Sequence, residues 1–131
     1  MEEEFVPYEL AVKLKALGFD KECIKYYWAD AMFTTTNEPP LNHNKRDILI
    51  SAPPFSQAFR WFREKFDLYS HVRESYSFDN TLEFVSQING SYVNHGISDK
   101  PINRFDTYEE AELACLTKLI EIVEKELIKS E

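Results

Sequence analysis

Glycine is scarce in this chain of 131 residues, which holds only Gly18, Gly90 and Gly96. A phosphate-cradling loop or dinucleotide fingerprint needs several glycines at fixed offsets, so that backbone N–H groups can approach an anion. No such spacing can be written here. Cysteine is nearly as rare. Cys23 and Cys115 stand 92 positions apart without a Cys-x-x-Cys spacing, so neither half a zinc site nor a redox pair is encoded, and two lone thiols suit a reducing cytoplasm. Unbroken apolar runs last only a few residues, against the roughly 18 to 20 that cross a bilayer. The start, Met-Glu-Glu-Glu-Phe-Val-Pro, lacks the basic opening and apolar run of a secretory signal. These absences set the expectation of a cytoplasmic chain with no membrane span.

Positive charge is also in deficit. The sequence carries 15 Lys and Arg against 23 Asp and Glu, a formal charge of -8, which disfavours nucleic acid as a partner. The imbalance is local. Residues 1–30 balance to -3, residues 31–105 to zero and residues 106–131 to -5, with all five arginines in the neutral middle. Catalytic and metal motifs are missing as well. No Gly-x-Ser-x-Gly elbow occurs, His43, His71 and His95 do not form His-Glu-x-x-His, and no calcium-loop pattern is present. No cofactor and no metal are expected.

What the chain does have is 44% apolar and 15% aromatic residues, ample for one domain core at this length. Residues 1–6 read as an acidic tail. Leu10, Leu14 and Leu17 recur at helical spacing over 7–17, with Pro7 suited to the helix start and Gly18 to its left-handed end. Phe19 is expected to fold back onto Leu14. Residues 23–28 alternate as a strand, and 31–36, rich in Phe and Thr, are expected to pair with it as a hairpin. A long polar loop spans 37–47, and the apolar run 48–50 reads as an edge strand. Pro53-Pro54 introduces a helix over 55–66, with Phe55, Phe59, Phe62 and Phe66 on one face and Trp61 at its margin. Strands over 70–77 and 81–88 follow, joined around Asp79-Asn80. Asn89-Gly90 then signals a type I′ turn into a short strand at 91–94, and 96–106 reads as a second loop. Thr107-x-x-Glu110 has capping-box spacing, with Asp106 and Glu109 offering it one residue earlier, and the last helix runs to about residue 128.

Helix, strand, strand therefore occurs twice before the closing helix. The expected fold is a single α+β domain of two αββ units plus a long C-terminal helix, its sheet mostly antiparallel and its helices packed mainly on one face. A three-layer arrangement is the alternative.

Cys115, on the apolar face of the last helix, is expected to be a desolvated structural thiol with a raised pKa. Candidate binding residues come from three places. Arg60, Trp61 and Arg63 on the second helix form a small anion or stacking surface. Tyr27 and Arg73, with Met32 and Val85, fall on the less apolar sheet face, which suits a protein-binding surface. His43 lies in the long loop, where a catalytic group could be assembled in three dimensions, although isolated surface histidines are the commoner outcome.

Residues 5–19 (FVPYELAVKLKALGF), 57–66 (QAFRWFREKF) and 107–121 (TYEEAELACLTKLIE) together resemble a group of short uncharacterised proteins of Bacteroidetes genomes and their phages, in the same order over nearly the whole chain. The resemblance implies a prokaryotic cytoplasmic protein linked to mobile elements, and carries over no activity, cofactor or site residue. The leading functional reading is a small non-enzymatic interaction or regulatory module, engaging a protein partner or a second copy of itself. A small enzyme with a site near 37–47, and an acidic decoy of a basic protein, are the alternatives.

Overall fold

A computed structural model describes residues 5–34, 41–89 and 104–129, the side chains of 89 and 127–129 excepted. Among the described residues the chain is an α+β fold of three α-helices and five strands in two antiparallel sheets, closed by a C-terminal helix. It divides into two compact units, Met1–Trp61 and Phe62–Glu131.

In the first unit, helix α1 (Tyr8–Ala16) follows Pro7 and buries Leu10, Ala11 and Leu14. Gly18, at φ 98°, turns the chain back. Its N–H donates to the Lys15 carbonyl and the Phe19 N–H to the Leu14 carbonyl, both at 3.0 Å. That pair of bonds satisfies the last carbonyls of the helix and swings the Phe19 ring into the interior. Strand β1 (Tyr26–Trp28) pairs with β2 (Leu49–Ser51), Tyr27 opposite Ile50.

The expected hairpin, in which 23–28 pair with 31–36, is present only in part. Residues 31–34 do return beside β1, but they bridge it only at Tyr27 and Phe33, with the Thr34 N–H donating to the Tyr26 carbonyl at 3.0 Å. The other edge of β1 belongs to β2. Every residue of β2 is buried, whereas Ile48 before it and Ala31, Met32 and Phe33 on the opposite edge face solvent. Cys23 lies outside the strand and bridges Leu41 instead. Residues 35 and 36 lie outside the described residues. Residues 5 and 6, read with the acidic tail, are anchored: Phe5 bridges Pro54, and buried Val6 donates to the Pro53 carbonyl at 2.9 Å.

Helix α2 (Phe55–Phe66) has the predicted bounds. Its buried positions in the first unit are Phe55, Ala58 and Trp61. Trp61 is buried, not marginal, and its ring meets Phe19 edge-on at 5.2 Å. A fully buried side chain of this size contributes about 1.5–3 kcal/mol.

The second unit is regular. Strands β3 (Tyr69–Tyr76) and β4 (Leu82–Asn89) form an eight-residue ladder, and β5 (Arg104–Phe105) pairs with β4 through Phe84 and Val85. Residues 104 and 105 belong to the segment expected to be loop, and the turn and strand expected over 90–94 lie outside the described residues. Helix α3 (Tyr108–Lys129) packs across all three strands. It opens where the Thr107 hydroxyl accepts the Glu110 N–H at 3.1 Å, which decides between the two capping options. Ala111, Cys115, Leu116, Leu119, Ile120, Ile122 and Val123 form its buried face. Val85, expected on the less apolar sheet face, is fully buried. As the middle strand, β4 buries residues of both parities, Val85 on one face and Ser86 and Ile88 on the other.

Candidate interaction site

The loop before β2 is held by side-chain bonds to backbone rather than by a ladder. Asn42 caps a 3-10 turn (His43–Lys45) by accepting the Asn44 N–H at 3.1 Å. Asn44 then clamps two elements, its amide donating to the Phe19 carbonyl at 2.9 Å and its oxygen accepting the Ser51 N–H at 2.8 Å. His43 is buried beneath the Tyr26 ring at 4.4 Å. Its Nε2–H donates to the Cys23 carbonyl at 2.9 Å, and its backbone N–H to the Ser51 hydroxyl at 3.1 Å. From α1, Lys15 Nζ donates to the carbonyls of Arg46 and Leu49 at 2.7 and 2.8 Å.

Cys23, His43 and Ser51 thus converge, which their separation in the chain concealed. The expectation of a surface His43 is corrected: the imidazole is buried because it carries the bond that ties 41–45 to 23. The geometry is that of a scaffold. The imidazole meets the Cys23 carbonyl and not its sulfur, and Cys23 Sγ lies 3.6 Å from the Lys21 carbonyl and the Gln57 side-chain oxygen. Burial pushes the Cys23 thiol up to about 12, with the Ser51 hydroxyl pulling it back. A neutral thiol is a poor nucleophile. Cys115, in the other unit, is likewise pushed by burial up to about 12, as expected from its place on the apolar face of α3. Among the described residues no group of three His, Cys, Asp or Glu is placed to hold a metal ion, and no helix is long and apolar enough to cross a membrane.

This scaffold positions an aromatic cluster at the far end of β1. Tyr27 packs on Tyr8 at 5.5 Å and on Phe33 at 5.1 Å, and Phe33 on Phe5 at 5.6 Å. The Tyr27 hydroxyl donates to the Val6 carbonyl and the Tyr8 hydroxyl to the Ala29 carbonyl, both at 2.8 Å. Burial, then the Glu9 carboxylate, raises the Tyr27 phenol above its ordinary value. The turn beyond is tight. The Trp28 N–H donates to the Met32 carbonyl and the Ala31 N–H to the Trp28 carbonyl, while Asp30 accepts the Met32 N–H. Ala31 sits at φ 75°, a left-handed conformation that costs an alanine roughly 1–2 kcal/mol. Around this tip Trp28, Met32, Phe33 and Ile48 are 43%, 64%, 38% and 56% exposed.

Of the residues picked from the sequence, Tyr27 belongs to this cluster and His43 to the scaffold beneath it. Trp61 is buried, so its ring offers no stacking surface. Arg60 and Arg63 are exposed on α2 and Arg73 is exposed on β3, where it stands opposite Val85. Trp28 and Ile48 were not singled out, although the alternation that turned Tyr27 one way also turned Trp28 the other. No known protein family, curated protein or solved structure matches the chain.

Proposed function

We propose that the chain is a non-enzymatic protein-interaction module that works through the aromatic end of the first sheet. One observation carries the reading: four large apolar side chains stand partly in water on a backbone fixed by Tyr8, Asp30 and the β1–β2 pairing. Apolar side chains clustered on a rigid surface mark contact sites, and a Trp or Tyr anchor held in advance loses little entropy on binding. The buried Cys23, His43 and Ser51 network supports that surface and supplies no nucleophile at neutral pH. A place in a prokaryotic mobile element belongs to the same proposal and rests on the resemblance alone.

The test pairs the native chain with a Trp28→Ser, Met32→Ser variant. Light scattering over a concentration series and crosslinking in lysate should give the native chain a second species, either a copy of itself or a defined partner. The variant should lose it while keeping its circular dichroism. A native chain that stays monomeric and crosslinks to the same proteins as the variant overturns the proposal.

A further inference from the structure

The second unit carries an apolar surface of its own, at the β3–β4 turn. The turn between β3 and β4 is braced from within. The Ser77 N–H donates to the Thr81 carbonyl at 3.0 Å and the Asn80 N–H to the Ser77 carbonyl at 2.9 Å, with Asn80 at φ 64°. Asp79 accepts from the Ser77 hydroxyl and from the Thr81 N–H. These bonds depress the Asp79 carboxyl below its ordinary range, the Ser77 hydroxyl first. On this turn Phe78 is fully exposed. Directly behind it Tyr76 faces Leu82 across the strands, 64% and 42% exposed.

Strand alternation places Tyr76, Leu82 and Phe84 on one sheet face. It is the face α3 reaches, since Phe84 meets Tyr108 edge-on at 6.0 Å. Phe105, opposite Phe84, continues the line into an open groove of about 450 Å³ against Leu113, Ala114 and Thr117 of α3. Tyr76, Leu82, Phe84 and Phe105 therefore form an apolar strip that leads into the groove, with Phe78 on the turn at its far end.

Its charged border is predominantly acidic. Glu74 lies on the same face, Asp79 sits beside Phe78, and Glu109 and Glu110 fill the first turn of α3. Arg73 and Arg104 belong to the opposite face, where Arg104 is spent on Glu83 at 2.9 Å. Lys118 is the cation on the groove wall, where Glu110 and Glu121 also stand, and it pairs with Glu121 at 3.7 Å.

From this we propose that the Phe78 strip binds an amphipathic basic segment of a partner protein, its apolar face on Phe78, Leu82 and the groove, and its Lys or Arg flanks against the acidic border. A second copy fits poorly, because two acidic borders would face each other. The inference rests on the second unit alone and is independent of the aromatic site in the first.

The test is fluorescence anisotropy of the full chain with a labelled synthetic helical peptide, leucine on one face and lysine flanks, beside the same peptide with glutamate flanks. The native chain should bind the lysine peptide, more weakly as salt is raised, and should not bind the glutamate peptide. Phe78→Ser, at a position with no packing to lose, and Leu82→Ser should each weaken binding by about tenfold or more. Trp28→Ser, Met32→Ser should bind the peptide as the native chain does, which separates this surface from the first. Absent binding, equal binding of both peptides, or native affinity in Phe78→Ser overturns the proposal. So does a concentration-dependent mass that Phe78→Ser abolishes, since that would make a second copy the occupant.

Discussion

The two units solve the same problem with different materials. Each packs an antiparallel sheet with helix, and each exposes apolar side chains at the end of a turn. In the first, three-residue strands are held by side chains reaching for backbone: Lys15, Asn42, Asn44, His43 and Ser51 each satisfy groups a longer ladder would have paired. In the second, an eight-residue ladder and a 22-residue helix satisfy their own backbone. Two short strands are marginal without such props. The lesson is that sheet length decides where polar side chains are spent. A short sheet recruits them inward, while a long one leaves its Arg73, Glu74 and Glu83 for the surface.

Asn44 is the prop whose loss should separate the two units most. Asn44→Ala leaves the Ser51 N–H and the Phe19 carbonyl without their partner, and is expected to cost the first unit about 2–3 kcal/mol. Hydrogen exchange should then accelerate at Ser51 and Cys23, with the β3 and β4 amides unchanged. Equal acceleration in both units would show that they open as one.

The two thiols sharpen the same contrast, since each unit holds one. Both are neutral when folded up to about 12, whereas an unfolded thiol ionises near 8.5. The folded state binds more protons than the unfolded one between those values. Stability is therefore full below about 8.5 and falls as pH rises towards 12. At neutral pH labelling requires opening, and Cys23 should react roughly tenfold faster than Cys115, the equivalent of about 1.4 kcal/mol. Equal rates measured by mass spectrometry would remove the claim that the ladder unit is the more resistant.

Smaller effects probe the ends of elements. Thr107→Ala removes the α3 cap and should cost about 1 kcal/mol in denaturant melts, an effect confined to the second unit. Ala31→Gly relieves the left-handed turn at the tip of the first, set against the greater freedom of an unfolded glycine. A net gain of about 0.5 kcal/mol is expected, with a loss of stability counting against strain at Ala31.

What could be read in advance was local. Gly18 closes α1 and sends Phe19 inward because only the residues beside it take part. Thr107 and Glu110 start α3, and Asp79 with Asn80 turns β3 into β4, for the same reason. The candidate site was only half legible. Tyr27 was visible through its alternation, but the props beneath it were not. Asn44 and Ser51 lie seven positions apart, His43 and Cys23 twenty, and no period or motif links them.

The three helices, the β3–β4 hairpin, the α+β class and the sign of the charge are legible without the fold, since they follow from composition and from periods of two or four residues. Only the fold settles that β1 takes 49–51 as its ladder partner while 31–34 bridge its other edge, that His43 and Trp61 are buried, and that Phe78 stands in solvent. Each of those outcomes depends on groups far apart in the chain. It is settled by which apolar surfaces can be removed from water together, a quantity that no stretch of sequence contains on its own.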